Sequence, residues 1–150
     1  MRLKLADVVL IRRFLRGTIV RLFRYALSSG MAGRMFARSD DGGANWAQIW
    51  SAINDPALGL ESSYCEGSII GVPDKGVLYF GKGSHGREDY LLHSSTDGLV
   101  WKEVAEVFKA GAAYSDLTIT GQGDVGVVFE RGTSDRNPYV WLTFGKVKVG

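Results

Sequence analysis

One eight-residue pattern constrains this chain more than any feature of its composition. Ser39-Asp40-Asp41-Gly42-Gly43-Ala44-Asn45-Trp46 reads S-x-D-x-G-x-x-W, and Ser94-Ser95-Thr96-Asp97-Gly98-Leu99-Val100-Trp101 repeats the frame with Thr96 in the Asp position. Trp46 and Trp101 stand 55 positions apart. In such a frame the Asp side chain accepts backbone N–H bonds across a hairpin turn, a Gly supplies positive φ, and the Trp covers the turn. The pattern is a folding device, so Asp41 and Trp46 are expected to do no chemistry. A second element recurs beside it, in Gly17-Thr18-Ile19-Val20, Gly76-Val77-Leu78-Tyr79-Phe80 and Gly126-Val127-Val128-Phe129, with glycines 59 and 50 positions apart.

Between these markers the chain parses into short strands separated by Gly, Asp, Ser and Pro clusters. The first unit holds strands at residues 8–11, 18–23, 34–39 and 46–50. The second holds 68–72, 77–80, 90–94 and 101–108, with a helical turn over 104–109 as an alternative. The third holds 117–120, 125–130 and 139–149 and has no fourth strand. Four-stranded units at a period of ~50 residues describe β-propeller blades. The expected fold is therefore all-β, with about three blades of antiparallel strands. Propellers close with typically ~4–8 blades, so these residues form part of a larger ring. Open strand edges and apolar faces between blades are expected.

Composition adds exclusions. The 150 residues are 45% apolar and 23% charged, which suits one globular domain and excludes a collagen, a disordered tail or a disulfide scaffold. The single cysteine, Cys65, closes no disulfide within the chain. Residues 1–39 carry nine Lys/Arg against one acid, Asp7, while residues 40–150 carry nine against fifteen acids. A basic head raises the question of a nucleic-acid or membrane arm. The partial helical face of Leu10, Phe14 and Leu15 is cut by Gly17-Thr18-Ile19-Val20, which favours a strand. Neither nucleic acid nor membrane is thus an expected partner. No run approaches the ~18 apolar residues of a membrane helix. The early run Val8-Val9-Leu10-Ile11 is shorter than the ~7 residues of a signal-peptide core. His85 and His93 are too few and wrongly spaced for a metal site, and no metal or organic cofactor is expected.

At this level of detail the chain resembles the sialidase (neuraminidase) superfamily, whose signature is this turn, the Asp box. Further segments follow in the family's order. Tyr64-Cys65-Glu66-Gly67-Ser68-Ile69-Ile70 is similar to the family's Cys-Gln-Gly-Ser strand, with Glu66 in place of Gln. Arg87 precedes Tyr90-Leu91-Leu92 and the second box, where the family places an arginine. Ala113-Tyr114-Ser115-Asp116-Leu117 resembles the Tyr-Ser-x-Leu segment, and Val127-Val128-Phe129-Glu130-Arg131-Gly132 resembles the strand after it. The resemblance covers residues 34–150 and implies about half of a six-bladed propeller. Residues 1–33 match worst and read as a divergent basic N-terminal part, either a degenerate blade of the same domain or an N-terminus joined wrongly in translation.

The resemblance also implies a chemistry. Sialic acids carry a carboxylate on the anomeric carbon, and arginine grips a carboxylate with two parallel bonds. Sialidases use three arginines. They attack with a Tyr rather than the usual carboxylate, which avoids bringing an anion to an anionic substrate. A phenol with a pKa near ~10 then needs a neighbouring base. Tyr114 matches the nucleophile, Arg87 the third arginine and Arg24 the second, through the spacing of Gly17 to Arg24. The partner base is open: no Glu precedes Glu61, Asp7 is a shorter substitute, and Glu130 reads as a strand-end residue. Cys65 and the histidines read as packing or surface residues. The family's Arg-Ile-Pro segment and its acid/base Asp are not found in these residues.

The implied function is that of an exo-α-sialidase-like glycoside hydrolase fragment. It would release terminal sialic acid from glycoproteins, glycolipids or oligosaccharides, with little or no turnover by these residues alone. The alternatives are a sialic-acid-binding module without catalysis and an interaction propeller that shares only the turn motif.

Overall fold

A computed structural model describes residues 8–14, 18–26, 32–46, 48–51, 67–84, 87–98, 100–121, 123–134 and 137–149. Ten strands follow in order: β1 (Val8–Phe14), β2 (Thr18–Ala26), β3 (Ala32–Ser39), β4 (Gln48–Ser51), β5 (Ser68–Val72), β6 (Val77–Ser84), β7 (Glu88–Ser95), β8 (Lys102–Ile119), β9 (Val125–Arg131) and β10 (Trp141–Val147). Among the described residues the only other regular element is a 3-10 turn at Pro73–Lys75. None of the described residues forms a helix long and apolar enough to cross a membrane.

Every strand pairs antiparallel with its sequence neighbour inside one of two ladders, β1-β2-β3-β4 and β5 through β10. The second ladder holds two of the expected units, joined by the 18-residue strand β8. Its first half pairs with β7 and its second half with β9. The helical-turn alternative for residues 104–109 is corrected to strand, and so is the break expected before residue 117. The unit boundary is a single residue, Ala110, at φ 136. Asp89, itself at φ 43, accepts the Ala110 N–H through Oδ1 at 3.1 Å, so the kink is held by a side chain rather than by a loop. Burial changes across it. Lys102, Glu103, Val104, Glu106 and Lys109 are exposed, as on an outer strand, whereas Gly111, Ala112, Ala113 and Leu117 are buried, as on an inner one.

The first strands of successive units are neighbours. Strand β5 lies beside β1 on one side and β8 on the other. The β5–β8 contact is fixed by Ser68, whose hydroxyl donates to Asp116 Oδ1 at 2.8 Å and accepts the Leu117 N–H at 2.9 Å. Such adjacency is what a ring of blades requires. The core lies between the second and third units: Ile70, Val72, Tyr79, Tyr90, Leu92, Leu117, Val125, Val127 and Phe129 are all buried. Period-2 alternation leaves the other face of β9 and β10 to solvent. There Val128 pairs with Phe144, and Phe144 and Leu142 are 60% and 75% exposed. Among the described residues the third unit has three strands, and this face of β9 and β10 is apolar and exposed.

Both turn motifs are hydrogen-bonded as their chemistry demands. Ser39 Oγ donates to Asp41 Oδ1 at 2.7 Å and accepts the Gly43 N–H at 2.9 Å. Asp41 accepts the Asn45 backbone N–H and its Nδ2 at 2.9 and 2.7 Å. Gly42 and Gly43 both take positive φ. In the second turn, Ser95 and Asp97 hold these places rather than Ser94 and Thr96. Ser95 Oγ donates to Asp97 Oδ1 at 3.0 Å, and Asp97 accepts the Val100 N–H at 3.0 Å. This turn is one residue shorter between Ser and Trp, so aligning it on Trp101 misplaces the Asp. Trp101 is buried and donates through Nε1 to Gly98 O at 3.1 Å.

These bonds lower the Asp41 pKa from its ordinary 3.8 to about 2, chiefly through the Asn45 N–H and then through the Ser39 hydroxyl. A depressed carboxyl pKa stabilises the fold fully above the unfolded value, and that contribution is lost as pH falls through the folded one. The first turn is therefore expected to hold at pH 5 and to open as pH falls from about 4 through about 2. The Asn45 amide resonance reports it, and Asp41→Asn should remove the transition. A midpoint near the unfolded value would contradict the hydrogen-bonded turn.

Candidate functional site

The site lies where β7, the inner half of β8 and the loop between β9 and β10 meet. Arg87 occupies the turn that opens β7, and its carbonyl accepts the Ala112 N–H at 2.7 Å. With the Asp89–Ala110 bond, this ties the turn to β8 just before Tyr114. The β8–β9 register slips between Ala112 and Ser115, so Tyr114 stands at a bulge. Bulges re-aim side chains, and Tyr114 is 38% exposed although its strand neighbours Ala112 and Ala113 are fully buried.

The bulge is braced from three sides. The buried Tyr90 phenol donates to Ser115 Oγ at 2.9 Å. Ser68 holds Asp116 and Leu117 from β5. From β9, Glu130 Oε2 accepts the Tyr114 backbone N–H at 3.3 Å. Glu130 is thus a neighbour of Tyr114 through the main chain, which is more than a strand-end position, but the bond does not engage the phenol. Such bracing fixes a backbone position for one side chain, as a site on rigid strands needs.

The guanidinium of Arg87 lies 5.4 Å from the centre of the Tyr114 ring and 5.1 Å from that of Tyr139. Two of the three sequence-derived candidates, Arg87 and Tyr114, are therefore in contact across 27 positions of sequence. Arg24 is on β2, paired in register with Arg34; its side chain lies outside the described residues. So do Asp7, Cys65, Glu66 and His85. His93 is buried on β7.

Sequence reasoning missed Tyr139, which it placed at the start of a strand; β10 begins at Trp141. It also missed Ser68 and Tyr90 as braces of the bulge. The available signal was Asn137-Pro138-Tyr139, since Pro lacks the N–H for a ladder and marks a loop. Chemically, stacking uses the faces of a guanidinium, while its N–H donors lie along the edge and suit a carboxylate. The arrangement can hold an anion beside a hydroxyl nucleophile.

No protein-family model matches the chain, and no curated protein matches it by sequence. Solved structures do match its fold. It superposes on the NanB sialidase of Streptococcus pneumoniae with a TM-score of 0.61 at 20% identity, covering 83% of this chain and 20% of that one. The intramolecular trans-sialidase of Ruminococcus gnavus gives 0.61 at 15% identity, over 93% and 32%. The Trypanosoma rangeli sialidase, solved with the inhibitor DANA, gives 0.60 at 18% identity, over 91% and 22%. The chain shares the fold of these structures and is a partial β-propeller. It spans between a fifth and a third of the length of these structures.

Proposed function

We propose that these residues are part of an exo-α-sialidase-like glycoside hydrolase, in which Arg87 binds the substrate carboxylate and Tyr114 is the nucleophile. The observation that carries this is the Arg87 guanidinium lying against the Tyr114 ring. Substrates are terminal sialic acids of glycoproteins, glycolipids or oligosaccharides, and Arg24 supplies a second arginine. The Tyr114 phenolic oxygen forms a bond to the anomeric carbon as the bond to the leaving oxygen breaks. Water then displaces the phenol, and the product retains its configuration through two inversions. The phenolic proton needs a base, and the leaving oxygen needs an acid. General acid–base help of this kind contributes typically ~10²–10⁴-fold. The same clamp would hold a carboxylated sugar without cleaving it, which is the second reading.

The 150 residues alone are expected to bind free sialic acid while hydrolysing a fluorogenic aryl sialoside at or near the background rate. Saturation-transfer NMR reads the binding and fluorescence the turnover. Tyr114→Phe should leave binding in place. No binding by the unmodified chain would sink both readings. Turnover that survives Tyr114→Phe would remove the phenol from the mechanism.

A further inference from the structure

Tyr139 belongs to no core cluster, yet it makes a defined contact. Tyr139 is 52% exposed, and its ring centre lies 5.1 Å from the Arg87 guanidinium. The Tyr114 ring takes the same guanidinium at 5.4 Å. We infer that Tyr139 is a positioning residue for Arg87: its ring and that of Tyr114 fix the guanidinium so that its donor edge is set before a carboxylate arrives. The inference rests on the reading of Arg87 as the carboxylate-binding residue and adds to it the group that orients that arginine.

The described residues on either side of Tyr139 are held by backbone bonds. Gly132 N–H donates to Gly111 O at 2.7 Å, which anchors the loop to the kink of β8. Ser134 and Asn137 form a bridge, with Asn137 N–H donating to Ser134 O at 3.1 Å. Val140 N–H then donates to Arg131 O at 3.1 Å and closes the loop. The carbonyl of Asn137 sits so close to Gly132 that any Cβ there would overlap it. Among the described residues, Gly132, Asn137 and Val140 each donate a backbone bond, and these bonds hold the main chain on either side of Tyr139.

The physical need is plain. A long arginine has much rotamer freedom to lose when it binds an anion, and a guanidinium already held on its aromatic contacts has less to lose. Exposed stacking of this kind is modest, so the expected change in affinity is modest too.

Two variants test this in the full chain. Tyr139→Leu removes the ring and Tyr139→Phe keeps it; the side chain is exposed, and the amide spectrum of each variant checks the fold. The first readout needs no ligand. Ring currents shift the Arg87 side-chain proton resonances, and Tyr139→Leu should move them toward random-coil values while Tyr139→Phe leaves them in place. In the second readout, free sialic acid is titrated. Tyr139→Leu should weaken binding about two- to fivefold, and Tyr139→Phe should leave it nearly unchanged. Unchanged Arg87 resonances in a folded Tyr139→Leu chain overturn the inference, as does unchanged affinity. If the unmodified chain binds no sialic acid while the resonances move as expected, the carboxylate reading of Arg87 has failed and takes the positioning role with it; the contact alone stands.

Discussion

Replacing Phe129 by Ala is expected to destabilise the chain by about 3–5 kcal/mol, most of the stability an ordinary domain has. Phe129 is 2% exposed at the centre of the core. Its ring centre lies 5.0 Å from that of Tyr90 and 5.8 Å from that of Phe108. Strand register places it between Ser115 on β8 and Thr143 on β10. Truncation therefore opens a cavity that three strands line, and the tight inner half of β8 has little room to collapse into it. The damage should also reach the site, because Tyr90 would lose the ring that supports it while its phenol braces Ser115 beside Tyr114. Urea denaturation measures the loss. Val128→Ala on the opposite face is the control, since Val128 is 37% exposed and should shift the midpoint little. A cost below about 1 kcal/mol for Phe129→Ala would mean that the second and third units do not share a core.

How far the sequence discloses such a molecule depends on the range of the interaction. The turns at Ser39 and Ser95 close within a few residues, so their chemistry is written locally, and even the one-residue slip at Asp97 is a matter of spacing. Strand positions follow from alternation and from the glycines, and β5, β6 and β7 begin at or within two residues of where the sequence puts them. The passage through β8 was illegible for a definite reason. Lys109-Ala110-Gly111-Ala112-Ala113 looks like a break because small residues and Gly usually end strands. Here the small residues let an inner strand pass between its neighbours, and the break is one backbone angle held by Asp89. The site divides in the same way. Nothing in Gly86-Arg87-Glu88-Asp89 tells which side chain the arginine meets, and the pairing with Tyr114 came from family resemblance alone. Tyr139 lay beyond both kinds of reading, since it meets Arg87 across 52 positions through a loop whose path is set by backbone contacts.

The second large effect is expected at Arg87. Arg87→Ala should weaken binding of free sialic acid by roughly 10- to 100-fold, the loss that follows removal of a charge-assisted hydrogen-bond donor worth about 1.5–3 kcal/mol. Arg87→Lys should recover only part of it. Lysine keeps the positive charge but has neither the planar fork that meets a carboxylate with two bonds nor a delocalised planar group to set beside the rings of Tyr114 and Tyr139. The order Arg, Lys, Ala therefore separates geometry from charge. The methyl ester of sialic acid makes the assignment specific, because it keeps the sugar and loses the anion. It should bind the unmodified chain as weakly as the free acid binds Arg87→Ala, and Arg87→Ala should weaken it little further. Raising the salt concentration should weaken the free acid more than the ester. An Arg87→Ala chain that holds the free acid as tightly as the unmodified one would place the carboxylate elsewhere. The contact between Arg87 and Tyr114 would then be packing at a strand end.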